Sequence, residues 1–226
     1  MRPVPSKLTA CLACGTLGVL LMAATSSPAV AEDADSSDGF VELFNGKTLD
    51  GWQQINGLAP YIVEEGGVIK GTTQKGSPNS FLCTKKAYGD FILEFEVKVD
   101  DRLNSGVQIR SQSKADYKNG RVHGPQVEIE AAPGDAGYIY SEGTGRKWLS
   151  TDRERNRDAF QNGEWNKYRV EARGANIKTF VNGKPVADMT DAESSRKGFI
   201  GLQVHSFKGD PPAEVRWRNI RIKELD

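Results

Sequence analysis

The feature that most constrains the fold is a series of short segments in which apolar and polar residues alternate, separated by Asn-Gly pairs. In residues 91–99 an apolar side chain occupies every second position, with Glu94, Glu96 and Lys98 between them. Alternation at period two places the two sets on opposite faces of a strand, and Asn-Gly favours tight turns between strands. The pattern predicts an all-β antiparallel sandwich of the jelly-roll kind. Strands are expected at residues 61–63, 68–72, 91–99, 106–111, 126–130, 137–140, 165–173, 176–181, 199–205 and 215–224.

One polar stretch departs from this alternation. Thr151 and Glu154 have the spacing of a capping box. In this motif the two side chains accept hydrogen bonds from backbone N–H groups that are otherwise unpaired at the start of a helix. A short surface helix running to Gln161 is therefore expected, covering one end of the sandwich.

The N-terminal residues have the composition of an export signal. Arg2 and Lys7 precede an apolar stretch, and Ala29 to Ala31 offer the small residues that a signal peptidase reads. We expect residues 1–31 to be a cleaved signal, 32–39 a flexible leader and 40–226 a single domain. The protein is then secreted or periplasmic. A retained anchor and a lipoprotein acylated at Cys11 are less favoured alternatives, and no stable membrane insertion is expected.

Charge and cysteine content narrow the classes of partner. The chain has 30 basic and 30 acidic residues, and 28 against 30 without residues 1–31, so no basic field is available for nucleic acid. Cys11 and Cys14 lie in the expected signal, and Cys83 is then alone, which excludes a disulfide and a cysteine zinc site. Cys83 is expected to be a small buried apolar residue.

Three predicted strands carry polar residues at period two. Gln108 and Arg110 share one face of the 106–111 strand, and Gln203 and His205 share one face of the 199–205 strand. Such a row either meets solvent or lines a groove, and Gln, Arg, His and carboxylate groups are those that bind sugar hydroxyls. The third row is Gln126, Glu128 and Glu130 on the 126–130 strand. A carbohydrate groove is favoured over a plain solvated face.

Glu128 and Glu130 raise the question of glycoside hydrolysis. Their backbones are expected to lie about 6.6 Å apart along a strand, between the separations typical of retaining and inverting enzymes. The strand resembles the E-x-D-x-x-E motif of retaining β-glucanases, but Gln126 stands where that motif has an acid. An amide neither attacks an anomeric carbon nor protonates a leaving group, which weakens this reading.

The two histidines suggest further contacts. His205 could act as a general base, a ligand or a structural histidine, and His123 could lie at the rim of the groove. A divalent ion bound by Glu128 and His205 would need a third ligand that the sequence does not identify. No metal site and no cofactor are therefore predicted, although a divalent ion is left open.

Segments spread over residues 40–226 resemble one known family, the 3-keto-disaccharide hydrolase domain family. The resemblance implies a concanavalin A-like jelly roll of the lectin and glucanase type. The segments that carry it are 43–52 (LFNGKTLDGW), 104–110 (NSGVQIR), 126–130 (QVEIE), 163–166 (GEWN), 181–184 (VNGK), 198–205 (GFIGLQVH) and 218–225 (RNIRIKEL).

The resemblance also implies an activity, the cleavage of glycosides already oxidised at C3 of the sugar, by elimination and hydration. Such a reaction needs a base, an acid and a stabiliser of the enediolate oxygen. On matching positions Glu128 and His205 would be base and acid, in either order, and Arg110 the stabiliser. Further substrate contacts are expected from Asn104, Gln108, Gln126, Glu130, Gln203, His123, Lys147 and Trp148.

Three alternatives remain open at this point. A non-catalytic carbohydrate-binding module would have the same fold and the same polar face. A glucanase-like glycoside hydrolase and an interaction module on an exported scaffold are the others. The expected partner is a carbohydrate or glycoside, and the sequence does not identify a partner protein.

Overall fold

A computed structural model describes residues 39–130, 134–210 and 212–226 of the chain. The expected signal, residues 1–31, and nearly all of the expected leader lie outside these ranges. The described chain forms fifteen strands and no helix. The strands are β1 (Val41–Glu42), β2 (Trp52–Ile55), β3 (Tyr61–Glu64), β4 (Val68–Thr72), β5 (Ser80–Thr84), β6 (Phe91–Val99), β7 (Asn104–Ser111), β8 (Gly124–Glu130), β9 (Ile139–Glu142), β10 (Lys147–Trp148), β11 (Asn166–Arg173), β12 (Asn176–Val181), β13 (Lys184–Thr190), β14 (Phe199–Val204) and β15 (Glu214–Glu224).

The strands form two antiparallel sheets. The first has the order β13-β12-β11-β6-β15-β4-β3, with β1 added to β15, and the second has the order β10-β9-β8-β7-β14-β5-β2. Every predicted strand is present, with ends shifted by no more than two residues. The predicted antiparallel sandwich is confirmed, because each described pairing is antiparallel and many neighbours are distant in sequence.

The core lies between the sheets. In β6 the alternation works as predicted, since Phe91, Leu93, Phe95 and Val97 are buried, and Phe95 stacks on Tyr168 of β11 with ring centroids 4.9 Å apart. Burial of such side chains is the main favourable contribution to a sandwich of this size.

The predicted helix at residues 151–161 is wrong. The segment forms bends and turns, because Asp152 Oδ1 accepts a hydrogen bond from the Glu154 backbone N–H at 3.1 Å and Asn156 has a positive φ of 52°. The segment is instead tied to the sandwich, where the Tyr138 hydroxyl donates to the Arg155 carbonyl at 2.7 Å and Arg153 lies 4.1 Å from the Trp148 ring centroid. Local capping chemistry loses here to contacts made by distant residues.

The outer face of the first sheet is covered by ion pairs. Arg216 of β15 lies 2.8 Å from Glu64, and Arg221 lies 2.7 Å from Glu94. Hydrogen bonds from Arg216 and Lys70 lower the pKa of Glu64 to about 2. Arg216, Arg218 and Arg221 of β15 thus pair with carboxylates of other strands of the sheet, and this face does not present a free basic stripe.

The outer face of the second sheet carries a loop, residues 112–123, that covers β5. Val122 of this loop packs with Phe81 and Cys83 in a small second hydrophobic cluster. Asn56 holds the loop, because its Oδ1 accepts from the Val122 N–H at 2.8 Å and its Nδ2 donates to the Gly120 carbonyl at 3.2 Å. Cys83 is buried as predicted, and burial raises the pKa of its thiol. The 112–123 loop forms one wall of the site described next.

Candidate functional site

A cavity of about 300 Å³ lies on the outer face of the second sheet, beside the 112–123 loop. Gln126 and Glu128 of β8 lie on its floor. We call this space the first cavity; it is lined by Asn79, Asn104, Arg121, Gln126, Glu128, Tyr140, Glu142, Trp148 and His205.

A chain of hydrogen bonds orients the polar groups of the floor. The Ser111 hydroxyl donates to Gln108 Oε1 at 2.7 Å, and Gln108 Nε2 donates in turn to Gln126 Oε1. Gln126 Nε2 then donates to Glu128 Oε1 at 2.6 Å. Each amide is fixed by the bond before it, so the last N–H is directed at the Glu128 carboxylate. The two amides that the sequence pattern placed on one face therefore position the carboxylate.

Strand β7 makes room for this arrangement. Gly106 is paired with Glu128, and a Cβ at Gly106 would lie only 2.5 Å from Gln126 Cδ, so glycine allows the Gln126 side chain to cross the strand. Asn104, two residues earlier, directs its Nδ2 toward Glu128 Oε2 at 3.4 Å. Both oxygens of the carboxylate thus face an amide donor.

The lining of the first cavity also includes groups that can donate and accept protons. His205 follows β14, and its Nδ1 lies 2.8 Å from the Ser206 carbonyl oxygen, which can only accept. In the neutral ring this contact leaves Nε2 as the accepting nitrogen. Arg121, about half exposed, pairs with the nearly buried Glu142 at 3.2 Å. The first cavity therefore combines two carboxylates, an imidazole and a guanidinium.

Arg110 is not part of this group, and the expectation that it would join Glu128 is wrong. Its φ is +47°, and the β7–β14 register shifts beside it, so the side chain turns away from the row of Gln108. The guanidinium is buried and donates to the carbonyls of Gly89 and Gly174 and to Asp90 Oδ1, each at 2.7 Å. Burial lowers the pKa of this guanidinium, and the Asp90 carboxylate opposes that shift. These contacts are structural.

Some of the other predicted site residues line the first cavity, and the rest lie elsewhere. Asn104, Gln126, Glu128, Trp148 and His205 line the first cavity, and Gln108 lies behind Gln126. The described lining does not include Gln203, which is fully buried, or the exposed Lys147. His123 is also elsewhere, because its ring packs on Tyr117 with centroids 3.9 Å apart and borders a separate cavity with Gln112 and Arg146. The side chain of Glu130 lies outside the described part of the structure.

Sequence reasoning missed four lining residues: Asn79, Arg121, Tyr140 and Glu142. Tyr140 and Glu142 lie at period two in β9, opposite Gln126 and Gly124 respectively, so the same alternation could have found them. Arg121 comes from the 112–123 loop, two residues before His123, and no periodicity marks it.

A larger cavity of about 610 Å³ lies on the first sheet, where Arg169 and Arg221 both pair with Glu94. We therefore place the site over Glu128.

Gln203 offers a test of its own. Both polar atoms of its side chain are buried without a hydrogen-bond partner among the described residues. Unpartnered buried polar groups each lower stability by about 1–3 kcal/mol, so Gln203→Leu should raise the free energy of unfolding by about 1–2 kcal/mol in a urea titration. Gln108→Leu, the matched control, breaks a satisfied network and should lower it. A Gln203→Leu protein less stable than wild type would show that the amide is in fact satisfied.

The described residues contain no helix that could cross a bilayer, and no three of their His, Cys, Asp or Glu side chains cluster as a metal site would require.

Comparison with known proteins bears on the family and the fold. A family model described as a 3-keto-alpha-glucoside-1,2-lyase-like domain matches residues 39–223. A search of functionally curated proteins found no match.

Solved structures show the same fold. A candidate glycosyl hydrolase from Parabacteroides distasonis ATCC 8503 is 23% identical, with 87% of this chain and 99% of that chain covered and a TM-score of 0.61. The carbohydrate-binding module CBM66 from Bacillus subtilis is 18% identical, with 77% and 96% covered and a TM-score of 0.55. The β-glucanase of Bacillus licheniformis is 13% identical, with 84% and 100% covered and a TM-score of 0.50. The predicted lectin and glucanase type of jelly roll is confirmed.

Proposed function

The chain belongs to the 3-keto-alpha-glucoside-1,2-lyase-like domain family, and from that membership we propose that it cleaves glycosides whose sugar carries a ketone at C3. The reaction is an elimination across C1 and C2 followed by addition of water. The observation that carries the proposal is the Glu128 carboxylate, which amide donors fix on the floor of a polar cavity that His205 and Arg121 also line.

The substrate's own chemistry makes this reaction accessible. A C3 ketone acidifies the hydrogen at C2, so a base of ordinary strength can remove it. The electron pair of the broken C–H bond is delocalised onto the C3 oxygen, which gives an enediolate. The C3 ketone then re-forms, and the electron pair at C2 makes a C1–C2 double bond. The C1–O bond breaks in the same step, and the leaving oxygen takes a proton. Water then adds at C1 while a proton returns to C2.

Glu128 is the proposed base. Its carboxylate is held in one orientation by Gln126 and Asn104, so no side-chain ordering is needed when substrate arrives. A base that removes a carbon-bound hydrogen must be aimed, because carbon acids do not form the strong hydrogen bonds that would otherwise align them. The series of hydrogen bonds from Ser111 through Gln108 and Gln126 fixes the direction of the Glu128 carboxylate.

His205 and Arg121 take the remaining roles. His205 is the proposed acid that protonates the leaving oxygen and later activates water, since an imidazole has one nitrogen that can donate a proton and one that can accept it. Arg121, which lines the first cavity, replaces Arg110 as the cation that stabilises the enediolate oxygen. Its guanidinium is half exposed and pairs with Glu142, which keeps it at the cavity wall.

A glucanase-like mechanism is less well supported. That chemistry needs two carboxyl groups, one on each side of the glycosidic bond. Gln126 supplies an amide where the first acid of the glucanase motif would stand, and Glu142, the other carboxylate of the first cavity, pairs with Arg121 at 3.2 Å.

A non-catalytic carbohydrate-binding module is the second candidate function. The fold shared with CBM66 favours it, because that protein is described as a carbohydrate-binding module and one fold can serve either function. In that case Glu128 would be one hydrogen-bond acceptor among several, and its replacement by glutamine would weaken binding only modestly.

We also propose that the protein acts outside the cytoplasm after loss of residues 1–31.

The first experiment incubates the purified 32–226 protein with 4-nitrophenyl 3-keto-α-glucoside and with its unoxidised parent. Release from the keto substrate alone, slowed by deuterium at C2, would support elimination. Equal release from the parent would instead support a glycoside hydrolase, and binding without release would support the carbohydrate-binding module.

A further inference from the structure

The cavity of about 610 Å³ on the outer face of the first sheet crosses five strands. Five of its lining residues are register partners on successive strands, so they form one row at right angles to the strands. In order they are Phe180 (β12), Arg169 (β11), Glu94 (β6), Arg221 (β15) and Glu42 (β1). We call this space the cross-strand groove.

The length of the row limits the size of a ligand. Adjacent strands lie about 4.8 Å apart, so the four steps from Phe180 to Glu42 span about 19 Å. A pyranose ring with its bridging oxygen is about as long as one such step. The groove therefore has room for a linear chain of about four sugars. Its volume is about twice that of the first cavity.

The charges that line the groove balance one another. The lining holds equal numbers of acidic and basic residues: Glu42, Glu94, Glu96, Lys167, Arg169 and Arg221. Glu94 is bonded on both oxygens, because Oε1 accepts from Arg169 Nη1 at 2.6 Å and Oε2 accepts from Arg221 Nη2 at 2.7 Å. Burial opposes the ionised form of Glu94, but these hydrogen bonds outweigh it and lower the pKa of the carboxyl. The groove thus keeps fixed charges without a net sign, which does not favour a ligand ion of either sign.

The paired groups still have hydrogen-bonding capacity for a ligand. Arg169, which is 36% exposed, donates through Nε to Glu171 and through Nη1 to Glu94. A guanidinium has five N–H groups, so others remain for a ligand oxygen. Asn219, also in the lining, donates through Nδ2 to Glu96 Oε1 at 3.0 Å, and its Oδ1 can accept. Donors and acceptors held in place in this way suit a ligand with many hydroxyl groups.

Phe180 adds an apolar surface at one end of the groove. Thr179 and Val181, its neighbours in β12, are buried, so alternation places the phenyl ring on the outer face. The ring is only partly buried and belongs to neither hydrophobic cluster of the described residues. One face of a pyranose carries mainly C–H groups, and it can pack on such a ring and remove apolar surface from water.

We propose that the cross-strand groove is a second, non-catalytic site that binds a neutral linear oligosaccharide of about four sugars. A charged ligand would find no excess of the opposite charge there, and a single sugar would leave most of the row without contacts. The groove lies on the opposite sheet from Glu128, so the inference goes beyond the proposed function and does not depend on it. Binding there would attach the protein to a glycan chain and leave the first cavity open.

Calorimetry with cellotetraose, maltotetraose and laminaritetraose tests the proposal. We expect at least one of them to bind about 10-fold more tightly than the disaccharide of the same linkage, because two further sugars add contacts along the row. Phe180→Ala should weaken that binding about 10-fold, as the loss of part of an apolar contact surface implies. Ile62→Ala, which removes an exposed apolar side chain on the edge strand β3 of the same sheet, should change it less than about twofold.

Asn219→Gly is a second variant that keeps the backbone. Asn219 has a positive φ of 51°, which glycine adopts without strain. The variant removes the amide from the lining, and tetrasaccharide affinity should fall about fivefold, as the loss of one neutral hydrogen bond implies. Asn119→Gly is the matched control, because Asn119 has a positive φ of 56° and lies in the 112–123 loop on the other sheet. It should change tetrasaccharide affinity less than about twofold.

The proposal is overturned if no tetrasaccharide binds, if none binds more tightly than its disaccharide, or if a folded Phe180→Ala protein binds as wild type does. Asn219→Gly decides the same question if Phe180→Ala does not fold. Sedimentation that shows a dimer, dissociated by Phe180→Ala, would identify the groove as an interface between two copies and would overturn the proposal as well. Tetrasaccharide binding that the groove variants weaken, in a protein that cleaves no 3-keto glycoside, would refute the proposed function and retain the groove.

Discussion

Glu128→Gln is expected to lower kcat for 4-nitrophenyl 3-keto-α-glucoside by about 10³-fold, within the range of general base catalysis, and to change KM little. Glutamine has nearly the same shape and can keep a contact with Gln126, but its amide does not accept the proton from C2. The loss therefore falls on the chemical step rather than on binding. Steady-state kinetics at pH 7, with calorimetric binding of methyl α-glucoside, measures both effects.

The matched control is Glu96→Gln, an equivalent change in β6 on the opposite sheet, where Glu96 pairs with Arg218 at 2.8 Å. This variant should keep wild-type turnover, because the residue lies on the far face of the sandwich. Glu128→Gln should also abolish deuterium incorporation at C2 in D₂O. Turnover within about threefold of wild type, well short of the loss expected for a general base, would exclude Glu128 as the base and favour the binding-module reading.

The sequence located the floor of the first cavity because β7 and β8 are regular where it lies. From Asn104 to Gln108 the two strands pair residue by residue, so period two in the sequence remains period two in space. Gln126 and Glu128 therefore share a face as the alternation predicts, and Gly106 provides the space that their side chains need. Where pairing is regular, a one-dimensional pattern is sufficient to place side chains on a surface.

The same reasoning fails where distant contacts decide the structure. Ser80–Thr84 is buried on both faces, since the 112–123 loop covers its outer side, and it shows no alternation that would mark it as a strand. Arg121 reaches the site through a loop whose path depends on Asn56, more than sixty residues away. Neither feature leaves a periodic signal in the sequence.

Arg110 shows the third kind of failure, a single bulge. One extra residue in β7 relative to β14 reverses which face the next side chain takes, and alternation alone cannot reveal it. The positive φ of Arg110 is an uncommon conformation for a residue other than glycine. It is maintained because the guanidinium gains three hydrogen bonds at the end of the sandwich.

Arg110→Met should therefore destabilise the fold and leave the chemistry intact. Removing the guanidinium leaves the Gly89 and Gly174 carbonyls and Asp90 Oδ1 without this donor, while Asp90 Oδ2 keeps the Gly174 N–H. Breaking a buried pair of this kind typically costs about 3–5 kcal/mol, and the partial exposure of Asp90 places the expected loss near about 3 kcal/mol. For a domain of this size that loss lowers Tm by about 6–12 °C, which thermal unfolding followed by circular dichroism would measure.

Arg218→Met provides the comparison, because Arg218 pairs with Glu96 on the open face and should cost no more than about 1 kcal/mol. At a temperature where Arg110→Met is still folded, its kcat for the keto substrate should remain within about twofold of wild type, since a group that acts only on stability leaves the transition state unchanged. A variant with wild-type Tm and a loss of kcat of about 100-fold, the lower end expected for a charge-stabilising group, would return Arg110 to the catalytic role that its sequence position suggested.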